Sequence, residues 1–149
     1  MRDAVGGSAL LNIIVIFTSI IILLFAGILA YSKAYKIKNR IIEVIERHES
    51  YVVSDPAGTG KNMVELELDG DLKKSGYLVA TKDQVKAKCG DNNLNKSEYL
   101  YCVYLKGDPN GIRTYEVVTY IHFDFPVIGN MLTFAVRGET KSLGKNYNY

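Results

Sequence analysis

The residues Ala9 to Tyr31, ALLNIIVIFTSIIILLFAGILAY, decide the architecture of this chain, because apart from Asn12, Thr18 and Ser19 every one of them is apolar or aromatic. No charged residue falls between Asp3 and Lys33. A helix rises about 1.5 Å per residue, so roughly 20 such residues match the ~30 Å hydrocarbon core of a bilayer. The stretch therefore reads as a transmembrane helix over residues 9–31, preceded by a short leader over residues 1–8. A cleaved secretory signal would be shorter and would end in a small-x-small cleavage site, and neither feature is present.

Helical periodicity continues beyond the apolar run. Ala34, Ile37, Ile41, Val44, Ile45 and His48 recur every three or four residues through AYKIKNRIIEVIERH, the spacing of one helical face. We expect one helix from about Leu10 to His48, with residues 32–53 forming an amphipathic stem. The breakers Ser54-Asp55-Pro56-Ala57-Gly58-Thr59-Gly60 predict a linker over residues 54–61.

Residues 62–141 are long enough for one small domain and not for two. Of the chain's 18 basic and 16 acidic residues, six basic and three acidic ones lie in Met1 to His48, leaving twelve and thirteen for the remainder. That near-neutral balance argues against a nucleic-acid surface of the usual basic kind.

In NMVELELDGDLKKSGY, Val64, Leu66 and Leu68 alternate like a strand, whereas Val64, Leu68 and Leu72 fit a helical stripe that ends at a Gly76 cap. A short helix is the expectation here. Beyond it the pattern predicts antiparallel sheet. Tyr77 to Thr81 would be a short strand, Glu98 to Lys106 a second rich in aromatic and β-branched residues, and Gly107 to Gly111 a turn. Arg113 to Phe125 alternates, with Tyr115, Val117, Ile121, Phe123 and Phe125 on one face and Glu116, His122 and Asp124 on the other. Pro126 to Asn130 would turn the chain into a last strand, Met131 to about Thr140, before a polar tail over 142–149 that should fray. The fold class is thus α+β, a membrane helix extended into a stem that packs on a small antiparallel sheet.

Cys89 and Cys102 lie thirteen positions apart, a separation that closes one loop in an oxidising compartment. Two cysteines and two distant histidines are too few for a metal site of the usual kind. We expect a disulfide. Orientation signals compete: Lys33, Lys36, Lys38 and Arg40 favour a cytoplasmic stem, while Arg2, the α-amine and the cysteine pair favour an exported domain. The expectation is a single-pass cell-membrane protein with its N-terminus cytoplasmic and its domain extracellular.

Several motifs invite chemistry and fail on detail. Gly58-Thr59-Gly60-Lys61 lacks both the first glycine and the following Ser or Thr of a phosphate loop. Asp91, Asn93 and Asn95 have the alternate spacing that opens a calcium loop, but Lys96 and Cys102 stand where the glycine and the bidentate glutamate belong. His122 and Asp124 have no motif-marked nucleophile beside them and are read as a surface polar pair. His48 is read as a helix-terminal residue favoured by the dipole, and the eleven tyrosines as filling for a half-buried sheet. No cofactor, metal or enzymatic activity is expected.

A short leader ending in Gly6-Gly7, a membrane helix beginning at once, an amphipathic continuation and a C-terminal sheet resemble the type IV pilin-like plan. Within it the chain most resembles the minor pseudopilins of the tight-adherence (Flp) pilus, the TadE-like proteins of Gram-positive type. The residues that carry the likeness are RDAVGGSALLN, AYSKAYKIKNRIIEVIE and VTYIHFDFPVIGNMLTFAVRGETKSL. The resemblance implies cleavage after Gly7 by a prepilin peptidase, exposing Ser8 as the new N-terminus. It also implies partners in the lipid bilayer, in other pilin-like subunits and in the pilus assembly machinery. The family carries a glutamate at the fifth position after the cut, where this chain has Asn12. Ala26, Gly27 and Ala30 are the small residues through which neighbouring membrane helices would pack. On this reading the protein is a structural subunit that primes, assembles or tips a pilus or secretion filament. The alternative from another class is a monomeric signal-anchored module that binds cell-wall glycan or a partner ectodomain through its tyrosine-rich sheet.

Overall fold

A computed structural model describes residues 2–53, 62–107, 112–123 and 132–144. The expected linker, both turns flanking the central strand, Asp124 and the end of the tail lie outside the described residues.

The first element is a single helix, α1, Arg2–Arg47. It starts earlier than expected: from Arg2 onward, through the residues of the expected leader, its backbone is helical. The helix ends because Glu49 adopts φ 53°, a left-handed conformation that breaks the ladder after the His48 N–H has bonded to the Val44 carbonyl at 3.1 Å. Ala34, Ile37, Ile41, Val44 and Ile45 are all buried, as their spacing predicts.

The second helix, α2, Met63–Ser75, settles the ambiguous segment in favour of the helical stripe, with Val64, Leu68 and Leu72 buried. Asn62 caps it by accepting from the Val64 N–H at 3.1 Å, while its amide donates to the Tyr51 carbonyl at 2.7 Å. That pair of bonds fixes the start of α2 against the end of α1. At the other end Gly76 takes φ 58°, which a glycine adopts without the steric cost of a Cβ.

A third helix, α3, Lys82–Cys89, occupies sequence expected to be sheet or loop. Its signal was present in Thr81 and Gln84, which form a capping box with both reciprocal bonds made. The expected strand Tyr77 to Thr81 is reduced to an isolated antiparallel bridge between Val79 and Tyr99, because the Thr81 cap turns the chain into α3 directly after it.

Three antiparallel strands follow, β1 Tyr101–Gly107, β2 Arg113–Phe123 and β3 Leu132–Glu139, in the order β1-β2-β3. The register sets Cys102 opposite Val118, Val103 opposite Val117, and Val117 opposite Gly138. Alternation then sends Tyr101, Val103, Tyr115 and Val117 into one core with the stem and α2. It sends Cys102 and Val118 into a second core with Ala80, Val85, Cys89 and Leu100. The stem and α2 thus cover one face of the sheet and α3 part of the other. The start of the tail does not fray: Leu143 is buried, and its backbone pairs with Arg113 in both directions.

Candidate functional site: the apolar helix and its junction with the domain

Among the described residues, those from Ala9 to Ala26 on α1 are exposed. Its most apolar window is wholly unburied, and the helix is long and apolar enough to cross a membrane. The Thr18 and Ser19 hydroxyls donate to the carbonyls of Ile14 and Val15 at 2.7 and 2.8 Å, so these two polar groups are satisfied within the helix, as a hydrocarbon surrounding requires. Asn12 and Ala26 are exposed on this bare half, and a Cβ added at Gly27 would meet no atom within 4 Å. Gly7 and Ser8 lie within the helical backbone of α1. Ala30 behaves differently from Ala26 and Gly27: it is partly buried against a small cluster of Ala34, Ile121 and Val136, so it packs on the chain's own domain.

The junction begins there. Thr119, fully buried on β2, donates its hydroxyl to the Ala34 carbonyl at 3.2 Å. Lys33 Nζ donates to the Gly76 carbonyl at 2.8 Å, tying α1 to the end of α2. Tyr31 and Tyr35 stack at 6.3 Å between ring centroids, and Lys38 Nζ lies 4.2 Å from the Tyr35 ring. On β3 Gly138 permits close approach, since a Cβ there would sit 2.8 Å from Lys38 Cδ and 3.0 Å from Ile42 Cδ1.

Further along, charges lock α2 to the stem. Arg40 Nε pairs with Asp71 at 2.8 Å, Arg47 Nη1 with Glu67 at 2.7 Å, and His48 Nε2 lies 3.0 Å from the other Glu67 oxygen. His48 thus does more than end a helix, because it meets a carboxylate on the neighbouring element. Glu43 accepts from both Arg40 and Arg47 at 3.0 and 2.9 Å, and the Arg40 guanidinium beside it holds its carboxyl below the usual range. Asp71 and Glu43 in turn push the Arg40 guanidinium up.

Among the described tyrosines, Tyr51, Tyr77, Tyr101 and Tyr115 are buried, whereas Tyr31 and Tyr35 are exposed. Tyr51 donates to Glu65 at 2.9 Å and meets the Tyr101 hydroxyl at 3.1 Å. Tyr77 donates to the Leu100 carbonyl at 2.8 Å and accepts from the Tyr120 N–H at 2.9 Å. Burial pushes the phenols of Tyr51, Tyr77 and Tyr101 up. The Asn93 and Asn95 oxygens of the supposed calcium loop are engaged by backbone, Asn93 accepting from Val103 N–H at 2.9 Å and Asn95 from Ser97 N–H at 2.8 Å. These side chains shape the loop leading to β1. Among the described residues no group of three or more His, Cys, Asp or Glu is placed to hold a metal ion.

Cys89 and Cys102 are disulfide-bonded, with Cα atoms 5.5 Å apart. The bond joins the last residue of α3 to the second residue of β1. Beside it the Tyr104 hydroxyl donates to the Cys89 carbonyl at 2.7 Å.

Comparison with protein-family models, curated proteins and solved structures finds no match. The shape itself fits a pilin-like fold, a long N-terminal apolar helix packed on a small antiparallel sheet.

Proposed function

We propose that this chain is a membrane-anchored, pilin-like structural subunit, a minor pseudopilin of a tight-adherence or type IV-like filament that acts in assembly, priming or at the tip. The observation that carries the reading is the division of α1: one continuous helix, bare and apolar in its first half, covers a sheet with its second. Such a subunit is stored in the bilayer by the bare half and presents its domain on the outer side. The disulfide supports an oxidising location for that domain. With Ala30 turned toward Ile121 and Val136, Ala26 and Gly27 remain as the small residues at which another pilin-like helix would approach. Pilus assembly machinery and a prepilin peptidase cutting between Gly7 and Ser8 belong to the same proposal, as does the absence of enzymatic activity.

Burial of Tyr51, Tyr77, Tyr101 and Tyr115 supports this reading over a module that recognises glycan through a tyrosine-rich sheet, because those rings serve the core. The test is mass spectrometry of the mature N-terminus together with recovery of the chain in sheared filaments. A protein beginning at Ser8 and recovered in filaments is expected, and Gly27→Leu should reduce crosslinking in membranes while the domain stays folded. An intact Met1 to Gly7 in cells that contain the peptidase, with the chain retained in membranes, would overturn the proposal in favour of a resident binding module.

A further inference from the structure

Where α1 leaves its bare half, a cavity of about 200 Å³ opens between the helix and the domain, lined by Ala30, Lys33, Ala34, Gly76, Tyr77, Leu78, Tyr120 and Ile121. Its level relative to a bilayer follows from the helix. Ala30 lies at the end of the apolar stretch, Lys33 and Ala34 lie just beyond it, and Lys33 is the first charge after it. The exposed, stacked pair Tyr31 and Tyr35 occupies the same part of the helix, and tyrosines at that position mark the headgroup region of a membrane. The cavity therefore opens at the height where acyl chains give way to headgroups.

Its lining divides in the same sense. Ala30, Ala34, Leu78 and Ile121 offer apolar walls, and Lys33 stands at the side with its ammonium bonded to the Gly76 carbonyl. An ammonium carries three donors, so that bond leaves capacity for a phosphate oxygen. A helix with side chains is about 10–12 Å across, too broad for so small a space, whereas a segment of one acyl chain fits.

We propose that this crevice seats a phospholipid of the surrounding leaflet, the upper part of one acyl chain lying among Ala30, Ala34, Leu78 and Ile121 and the headgroup phosphate beside Lys33. The inference rests on the anchor reading above. Its consequence is mechanical: a lipid held there braces the domain against the membrane surface and fixes the angle at which α1 carries it. Dissolving that contact would be one of the events on leaving the bilayer.

The experiment uses the full chain in phosphatidylcholine vesicles containing a phosphatidylglycerol whose acyl chain bears a photoactivatable diazirine close to the ester. Flotation with the vesicles is measured first, then labelled residues are mapped by mass spectrometry. Labelling of Leu78, Tyr120 or Ile121, in addition to α1, is the expected result. Ala30→Phe, which fills the crevice from the helix, should remove the domain label and leave the α1 label, with unchanged thermal unfolding showing the domain intact. Lys33→Gln should lower the domain label from phosphatidylglycerol more than that from a photoactivatable phosphatidylcholine. Flotation with label confined to α1 would overturn the lipid seat and leave the anchor standing. Domain label that disappears as protein density in the vesicle rises would assign the crevice to a second copy. Failure to float would overturn the anchor reading and the lipid seat with it.

Discussion

The two halves of α1 share one backbone and both carry isoleucines, yet they meet different surroundings. In the stem, Ile41, Val44 and Ile45 are fully buried against α2 and the sheet, and charged residues occupy the remaining faces. In the first half, Ile14, Leu24 and Ile28 are each about as exposed as their neighbours all the way round the helix, and no polar face exists. A stripe of hydrophobicity is a demand for a protein partner; a full collar of it is a demand for lipid. The boundary of the domain therefore lies inside a helix, near Ala30, and not at a loop.

The sharpest way to break that contrast is to place the same charge in each half. Ile41→Asp would bury a carboxylate with no partner, at a cost of several kcal/mol, comparable with the whole stability of a small domain. We expect the domain to become sensitive to protease while the chain still partitions into membranes. Leu24→Asp should leave domain stability within about 0.5 kcal/mol and instead oppose insertion by about 3 kcal/mol. Flotation and limited proteolysis on both variants measure the two effects separately. Equal loss of domain protection in both would refute the division.

The core under the stem also carries a pH signature that the bare half lacks. Tyr51, Tyr77 and Tyr101 have phenols held above the ordinary value of 10 by burial. A group whose folded value is raised contributes its full stability below the unfolded value and loses it as pH rises beyond. Stability should be flat with respect to these groups below pH 10 and fall above it, by roughly 1 kcal/mol per tyrosine for each further pH unit. Denaturant unfolding at pH 8 and pH 11 would show the loss, and Tyr101→Phe should shrink it, because one of the contributing phenols is gone. An identical pH slope in that variant would remove Tyr101 from the account.

Much of the helical side of this architecture was legible in the sequence. The stem stripe from Ala34 to Ile45, the Val64-Leu68-Leu72 face and the Gly76 cap are local periodicities, and local periodicity survives into the fold. The three strands of the sheet were legible for the same reason, with β1 starting three residues later than expected. What escaped was set by neighbours distant in sequence. Tyr77 to Thr81 has strand composition, but only Val79 finds a bridging partner. Helix α3 is short and mostly polar, so its apolar signal was two residues, Val85 and Cys89, and only the Thr81–Gln84 box could have announced it. At the junction, Ala30 was grouped with Ala26 and Gly27 by size alone, and which way it faces depends on where β2 and β3 lie. The crevice beside Lys33 has no local signature, because three separate segments build it.

The face of the sheet away from the stem depends on covalent help. Helix α3 buries little besides Val85 and Cys89, so the disulfide to Cys102 does for it what a wide apolar face does for the stem. Closing a loop of thirteen residues contributes about 3 kcal/mol in the chain-entropy model. Cys89→Ala with Cys102→Ala should lower unfolding stability by that order. Amide exchange in α3 should rise first, while the amides around Ile41 and Val44 keep their protection until global unfolding. Simultaneous loss at both places would make the two faces of the sheet one cooperative unit.

The smallest expected effect tests the closest approach of α1 to the sheet. Gly138 has an ordinary backbone, so its value lies in the absent side chain: the space a Cβ would take is already held by Lys38 and Ile42. Lys38 is buried for a lysine, at 8% exposure, with its ammonium over Tyr35, so moving it costs a packed stem and a cation–aromatic contact. Gly138→Ala requires only that the lysine stem swing aside, and Gly138→Val also crowds the branched Ile42. We expect the valine variant to lose about 1–3 kcal/mol and the alanine variant less. Lys38→Ala should then restore much of the alanine variant's stability, because the two changes act on the same space and cannot be additive. Additive losses in that double-mutant cycle would mean that Lys38 and Gly138 do not compete for space, and the close seating of the stem on β3 would have to be given up.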